Sequence, residues 1–166
     1  MGRKVSELIY ARGQLAGTRL RTEVQTLLEM HWAEVAHDKT TRQLDPDWAQ
    51  FEAMEAAGAL YILTVRTPAN VGGALVGYAC AVTRPHLHSR ATLTAYVDAL
   101  YLAPAARQGR AGARFLKYID TALAGLGVDY IYWHIKPQRD FAPILQRSLG
   151  YHFVETIWGR AVAKVT

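Results

Sequence analysis

From Thr18 to His37, apolar residues recur at spacings of three and four: Leu20, Val24, Leu27, Leu28, Trp32 and Val35. That period predicts an amphipathic helix. Asp45-Pro46-Asp47 marks a second helix start, with an acidic N-cap, proline at the first helical position and another acid in the first turn. This helix carries Trp48, Phe51 and Met54 and stops at Gly58. The pattern then changes to strands. Ala59 to Arg66 is one apolar run, Thr67 to Gly73 is turn material, Leu75 to Thr83 is a second run ended by Arg84-Pro85, and Thr92 to Leu102 is a third. Such short links favour antiparallel neighbours.

A third helix is predicted from about Arg107 to Leu126, with Leu116, Ile119, Leu123 and Leu126 as its apolar stripe and Gly127 as its stop. Val128 to Ile135 reads as a strand rich in tyrosine and tryptophan. Asp140 caps a further helix that tolerates Pro143 in its first turn, turns Phe141, Ile144, Leu145 and Leu149 to the core, and closes at Gly150. Tyr151 to Val162 reads as a final strand or hairpin. No element is predicted for residues 1–17, an N-terminal extension, so the domain is expected over 18–166. The order α-α-β-β-β-α-β-α-β implies an α/β fold: a mixed, mostly antiparallel sheet with helices on both faces.

The chain of 166 residues suits one domain with a sizeable core. No apolar run approaches the roughly 18 residues that span a bilayer, so no membrane partner is expected. The N-terminus has charge but no apolar core and does not read as a secretory signal. Gly2 with Ser6 fits the myristoylation pattern, which is short enough to arise by chance. The single cysteine, Cys80, has no partner for an internal disulfide, which favours a reducing, cytoplasmic setting. A net charge of +5 permits phosphate binding. The basic residues form no long run, so nucleic acid is disfavoured as a partner. His86-Leu-His88 lacks a third ligand nearby, and no metal site is expected.

The candidate chemistry lies between Val97 and Leu116. An apolar strand ends at Pro104, the loop Arg107-Gln-Gly-Arg-Ala-Gly112 follows, and a helix begins. That order places free backbone N–H groups and a helix N-terminus together, a geometry that holds phosphates. Amides from Gln108, Gly109, Arg110, Ala111, Gly112 and Ala113 are candidate phosphate donors, with Arg107 and Arg110 adding charge.

This stretch, with Leu149-Gly-Tyr-His-Phe153 downstream, resembles the GCN5-related N-acetyltransferases, the GNAT superfamily, over about residues 19 to 160. The wording around His86, Asp98, Arg107 and Lys136 is similar to bacteriophage-encoded members. Arg107 and Gly112 match the family's phosphate loop. Arg110 replaces its first glycine, and Gly109 stands one place early. If Arg110 has to take positive φ, the loop carries strain of order 1 kcal/mol; in ordinary helix it carries none.

The resemblance implies acetyl-CoA as donor and an amine as acceptor, small molecule or protein, with direct attack through a tetrahedral intermediate. Leu100, Tyr101 and Leu102 would form the strand edge that pairs with the pantetheine, and the amide near Leu102 would polarise the thioester carbonyl. Asp98, the lone acid in its strand, would serve as base or water-holder. The usual tyrosine acid is replaced by Gln146, which cannot protonate a thiolate; Tyr101 and Tyr132 are alternatives. The link from Glu34 to Asp47, with His37, Asp38 and Lys39, would wall the acceptor site. His134 and Lys136 share a face beside the strand of Asp98. A non-catalytic protein that keeps the fold is the rival reading, and a homodimer is left open.

Overall fold

The structure is a computed structural model describing residues 7–36, 39 and 42–162. His37, Asp38, Gly2 and Ser6 lie outside the described residues. The elements in chain order are β1 (Ile9–Arg12), α1 (Leu20–Val35), α2 (Trp48–Ala56), β2 (Leu60–Arg66), β3 (Leu75–His86), β4 (Ser89–Leu102), α3 (Ala111–Gly125), β5 (Tyr130–Trp133) and α4 (Ala142–Leu149).

The five strands lie in the order β1-β2-β3-β4-β5, antiparallel except for the parallel pair of β4 and β5. The sheet is therefore mixed, as the pattern implies. One core cluster packs Phe115, Ile119 and Leu123 of α3 against Leu63, Val65, Ala79, Ala95 and Val97. A second packs Leu20, Val24 and Leu27 of α1 against Ile62, Tyr78, Cys80 and Tyr101. These belong to opposite faces because alternate strand residues point opposite ways. Helices cover both.

Several boundaries differ from the sequence reading, each for a local reason. Residues 9–12 form a strand because β2 offers them an edge, with Ile9 opposite Arg66 and Arg12 opposite Leu63. Short edge strands carry little periodic signal of their own. Asp47, not Asp45, caps α2: its carboxylate accepts the Gln50 N–H at 3.0 Å, and Pro46 stays outside the helix. The β3–β4 hairpin runs past Arg84-Pro85 to His86, with proline next to a register shift near the turn, where a ladder tolerates it. Helix α3 begins at Ala111, four residues later than expected, because Pro104–Ala106 forms a separate 3-10 turn.

The final strand expected over Tyr151 to Val162 does not form. From Gly150 to residue 162 the chain has no regular element. Its large apolar residues sit at both parities, Phe153 and Ile157 against Val154, Trp158 and Val162. No single face is thereby marked for burial on this sheet.

Two stability tests follow from the packing of α1 and β3. A Cβ on Gly77 would lie 2.9 Å from the Tyr101 carbonyl oxygen and 2.8 Å from Leu102 Cδ1. Gly77→Val is expected to cost about 1–3 kcal/mol by forcing β3 from β4, read as a lower urea midpoint. His31 of α1 stacks on Tyr101 at 5.1 Å and places Nδ1 2.9 Å from the Tyr78 hydroxyl. Burial, helped by the positive charge of Lys136, lowers its pKa from 6.5 to about 4. The unfolded chain therefore takes this proton first. Stability should fall as pH drops from about 6.5 to about 4, by about 2 kcal/mol after solvent screening, and this contribution should level off below that. Urea midpoints across that range, with His31→Gln expected to flatten the slope, check the assignment.

Candidate functional site

The site begins with an irregularity in β4. Cys80 pairs with Ala99, yet the adjacent Ala81 pairs with Val97, so Asp98 is an extra residue in β4. Such a bulge bends a strand and re-aims its side chains. Pairing with β5 runs from Thr94–Tyr130 to Val97–Trp133 and ends with the His134 N–H donating to the Val97 carbonyl at 3.2 Å. Beyond Asp98 the two strands part. The Ala103 N–H donates to the Val76 carbonyl at 2.7 Å. On antiparallel alternation, Leu100 and Leu102 then turn their own N–H and C=O away from β3, towards the gap. The Leu102 carbonyl is already taken, by Arg107 Nε at 2.6 Å.

The loop after β4 supplies a second set of donors. Gly109 takes φ +57, a conformation that favours glycine, while Arg110 sits at φ −103. The left-handed residue is thus one place earlier than the resembling motif puts it, and Arg110 is unstrained. Among the described residues, the N–H groups of Gln108, Gly109, Arg110, Gly112 and Ala113 make no hydrogen bond. Ala111 donates to the Gln108 carbonyl. A Cβ added at Gly109 or Gly112 would meet open space. Beside this loop lies a cleft of about 670 Å³ whose lining includes Tyr10, Pro68, Val76, Gln108, Arg110 and Arg114. Free amides, a helix start and two guanidiniums suit an anion such as a pyrophosphate.

A cluster of charged side chains lies on the α1 side of the gap. Glu34 of α1 accepts from Arg107 Nη2 at 2.8 Å and from Arg139 Nε at 2.6 Å. The Arg107 hydrogen bond, more than any other influence, holds its carboxyl below the usual range. Arg107 also lies over the Tyr101 ring at 5.5 Å. Asp98 projects outward with 69% of its side chain exposed and meets His134 Nδ1 at 3.3 Å. Its charge reaches His31, Tyr78 and Cys80, whose ionisations it influences.

The structure thus brings Asp98, Leu100 and Leu102 to the gap, and Gln108, Gly109, Arg110 and Ala111 to the cleft. Tyr101 turns inward against His31 and the α1 core. Arg107 does not line the cleft; its guanidinium is committed to Glu34 and Leu102. Gln146 is exposed on α4. Tyr132 stacks between Tyr96 and Tyr130. Sequence reasoning did not single out His31. Its signal was there: it stands four residues from both Leu27 and Val35, a polar residue on an apolar stripe. Arg114 and Arg139 carried no local signal, since only the fold brings them to the cleft and to Glu34.

Known proteins share this architecture. An aminoglycoside acetyltransferase, HMB0005, from an uncultured soil metagenomic sample superposes with TM-score 0.71 at 16% identity, covering 95% of this chain and 99% of that one. AAC(6')-Iy, solved with the bisubstrate analogue CoA-S-monomethyl-acetylneamine, gives 0.66 at 16% identity, covering 95% and 100%. A ribosomal-protein-alanine N-acetyltransferase from Brucella melitensis gives 0.63 at 16% identity, covering 95% and 99%. At such identities the likeness is one of fold. No curated protein matches in sequence. The acetyltransferase (GNAT) family profile, however, matches residues 23–151. With most of its length matched, and with the parted strands and phosphate-type loop in place, the chain belongs to the acetyltransferase (GNAT) family.

Proposed function

We propose that this protein transfers an acetyl group from acetyl-CoA to a primary amine. The observation that carries the reading is the gap opened at Asp98 beside a loop of unbonded amides. The free N–H groups at 108–110, 112 and 113 fit the coenzyme's pyrophosphate, with Arg110 and Arg114 adding charge. Leu100 and Leu102 offer the strand edge to the pantetheine arm. When bound, the coenzyme supplies an activated acyl carbon as a thioester. The Leu102 N–H then serves as the donor that polarises the acyl carbonyl.

An attacking amine has to be neutral. Asp98 is placed to accept its proton, directly or through a water, with His134 beside it. The C–N bond forms first, giving a tetrahedral intermediate, and the C–S bond breaks as that intermediate collapses; the thiolate leaves without an acid from α4, because Gln146 has no acidic proton to give. Aminoglycoside and ribosomal-protein acetyltransferases among the similar structures support the amine class of acceptor. They do not single out one amine for this chain.

A non-catalytic reading has one specific support, the exposed Gln146 where the resembling motif has tyrosine. Acetyl-CoA consumption across an amine panel, followed by mass spectrometry, separates the two: binding without consumption favours the rival.

Two substitutions test the assignment. Arg110→Ala and Arg114→Ala should each weaken acetyl-CoA binding about 3- to 30-fold, measured by calorimetry, as expected for a charge-assisted bond in a partly solvated cleft. Asp98→Asn should lower kcat by about 100-fold or more while acetyl-CoA affinity is kept. Unchanged turnover in that variant removes Asp98 from the chemistry.

A further inference from the structure

The segment that follows β5 is pinned at both ends across the gap. At one end His134 Nδ1 meets Asp98 Oδ1 of β4 at 3.3 Å. At the other, Arg139 Nε meets Glu34 Oε1 of α1 at 2.6 Å. Lys136 stands between these fixed points, half-buried, with extended backbone at φ −86 and ψ 138. Its ammonium makes no hydrogen bond or ion pair among the described residues. Yet of the charges acting on His31 of α1, that of Lys136 is the strongest. A lysine on the α1 side of the gap thus has no anion of its own.

The acids around it are already in use. Asp98 is the one acidic residue on the five strands. No Asp or Glu occurs between Glu55 and Asp98, a stretch that holds all of β2 and β3. Glu34 is shared by Arg107 and Arg139. Arg84 of β3 lies over the Tyr96 ring at 5.0 Å, with no acid beside it. A polycationic amine calls for several carboxylates, and like charges set opposite one another cost affinity. The strands offer such an amine a single carboxylate. An amine with an acid group of its own fits better, because it brings the anion that Lys136 lacks. The spacing limits its size. Two residues of extended chain cover about 7 Å, so the amine held at His134 and Asp98 and the acid held at Lys136 are only a few bonds apart.

We propose that the acceptor is an amine of amino-acid size that carries its own carboxylate, with the carboxylate paired to Lys136 and the amine delivered to Asp98. The inference rests on the acyl-transfer reading and names its substrate class. Arg107 and Arg139 stay with Glu34, so Lys136 is the side chain that sets specificity.

Initial rates with acetyl-CoA test it, across L-amino acids and their primary amides, with spermidine and kanamycin as polycationic controls. In Lys136→Met the acid-to-amide ratio of kcat/KM should fall about 10- to 100-fold, the effect of one charge-assisted bond, chiefly through KM for the acid. Comparing ratios between proteins cancels the basicity of each amine. Lys136→Arg should restore most of the ratio, and Lys136→Glu should turn it towards the amides. Calorimetry of the same amino acids, with desulpho-CoA bound, reads recognition without chemistry. Acetylation with a ratio that Lys136→Met does not move, or with spermidine or kanamycin preferred, overturns this proposal and leaves acyl transfer standing. Amino-acid binding that Lys136→Met abolishes, with no amine acetylated, keeps the acid site and overturns acyl transfer. Neither binding nor acetylation overturns both.

Discussion

A strand can keep hydrogen-bonded neighbours on both sides only while its pleat stays in step with each. At Asp98, β4 gains one residue against β3, and its pairing with β5 ends one residue earlier, at Val97. The two events are linked. The bulge increases local twist and bends β4, and β5, held by only four paired residues, does not follow. A gap opens inside a continuous sheet, lined by main-chain groups of Leu100 and Leu102 that would otherwise be ladder bonds. Buried main-chain groups rarely go unpaired, so a gap of this kind calls for a guest with its own amides. The same extra residue sends the one acidic side chain of the strand outward to the gap's mouth.

The cleft depends on a related economy of backbone. Gly109 alone in the loop takes positive φ, which lets the chain reverse into α3 with several N–H groups unspent. The arginine that follows is then free of conformational duty. Arg107, by contrast, works inside the protein: it ties the end of β4 to Glu34 of α1 and covers the Tyr101 ring. Two arginines three positions apart in one loop therefore do different jobs, one facing the cleft and the other bracing its wall.

Much of this was legible in the sequence, for identifiable reasons. The stripes Leu20-Val24-Leu27 and Leu116-Ile119-Leu123 repeat at helical period, and the same residues form the two cores. Asp98 stood out as a lone acid in an apolar strand. The bulge that gives it meaning was not legible, because a bulge is a mismatch between two strands and no single strand records it. β1 was missed because four residues at an edge draw their order from β2. The bracing of Glu34 by Arg107 and Arg139 joins residues 73 and 105 positions away. The final strand or hairpin expected over Tyr151 to Val162 does not form, because a run of apolar residues does not by itself supply the neighbour that a strand requires.

The charged cluster beside α1 is not balanced. Glu34 is answered twice over, by Arg107 and by Arg139, while Lys136 adds a further positive charge near His31. His31, held neutral by burial, contributes none. Apart from Asp98, the cluster is thus biased positive. Positive surroundings lower the pKa of an ammonium group. Such surroundings disfavour a cation and favour the neutral amine that the proposed transfer requires. In the proposed reaction, part of the work of a base would then fall to these surrounding charges, and less of it to Asp98 alone.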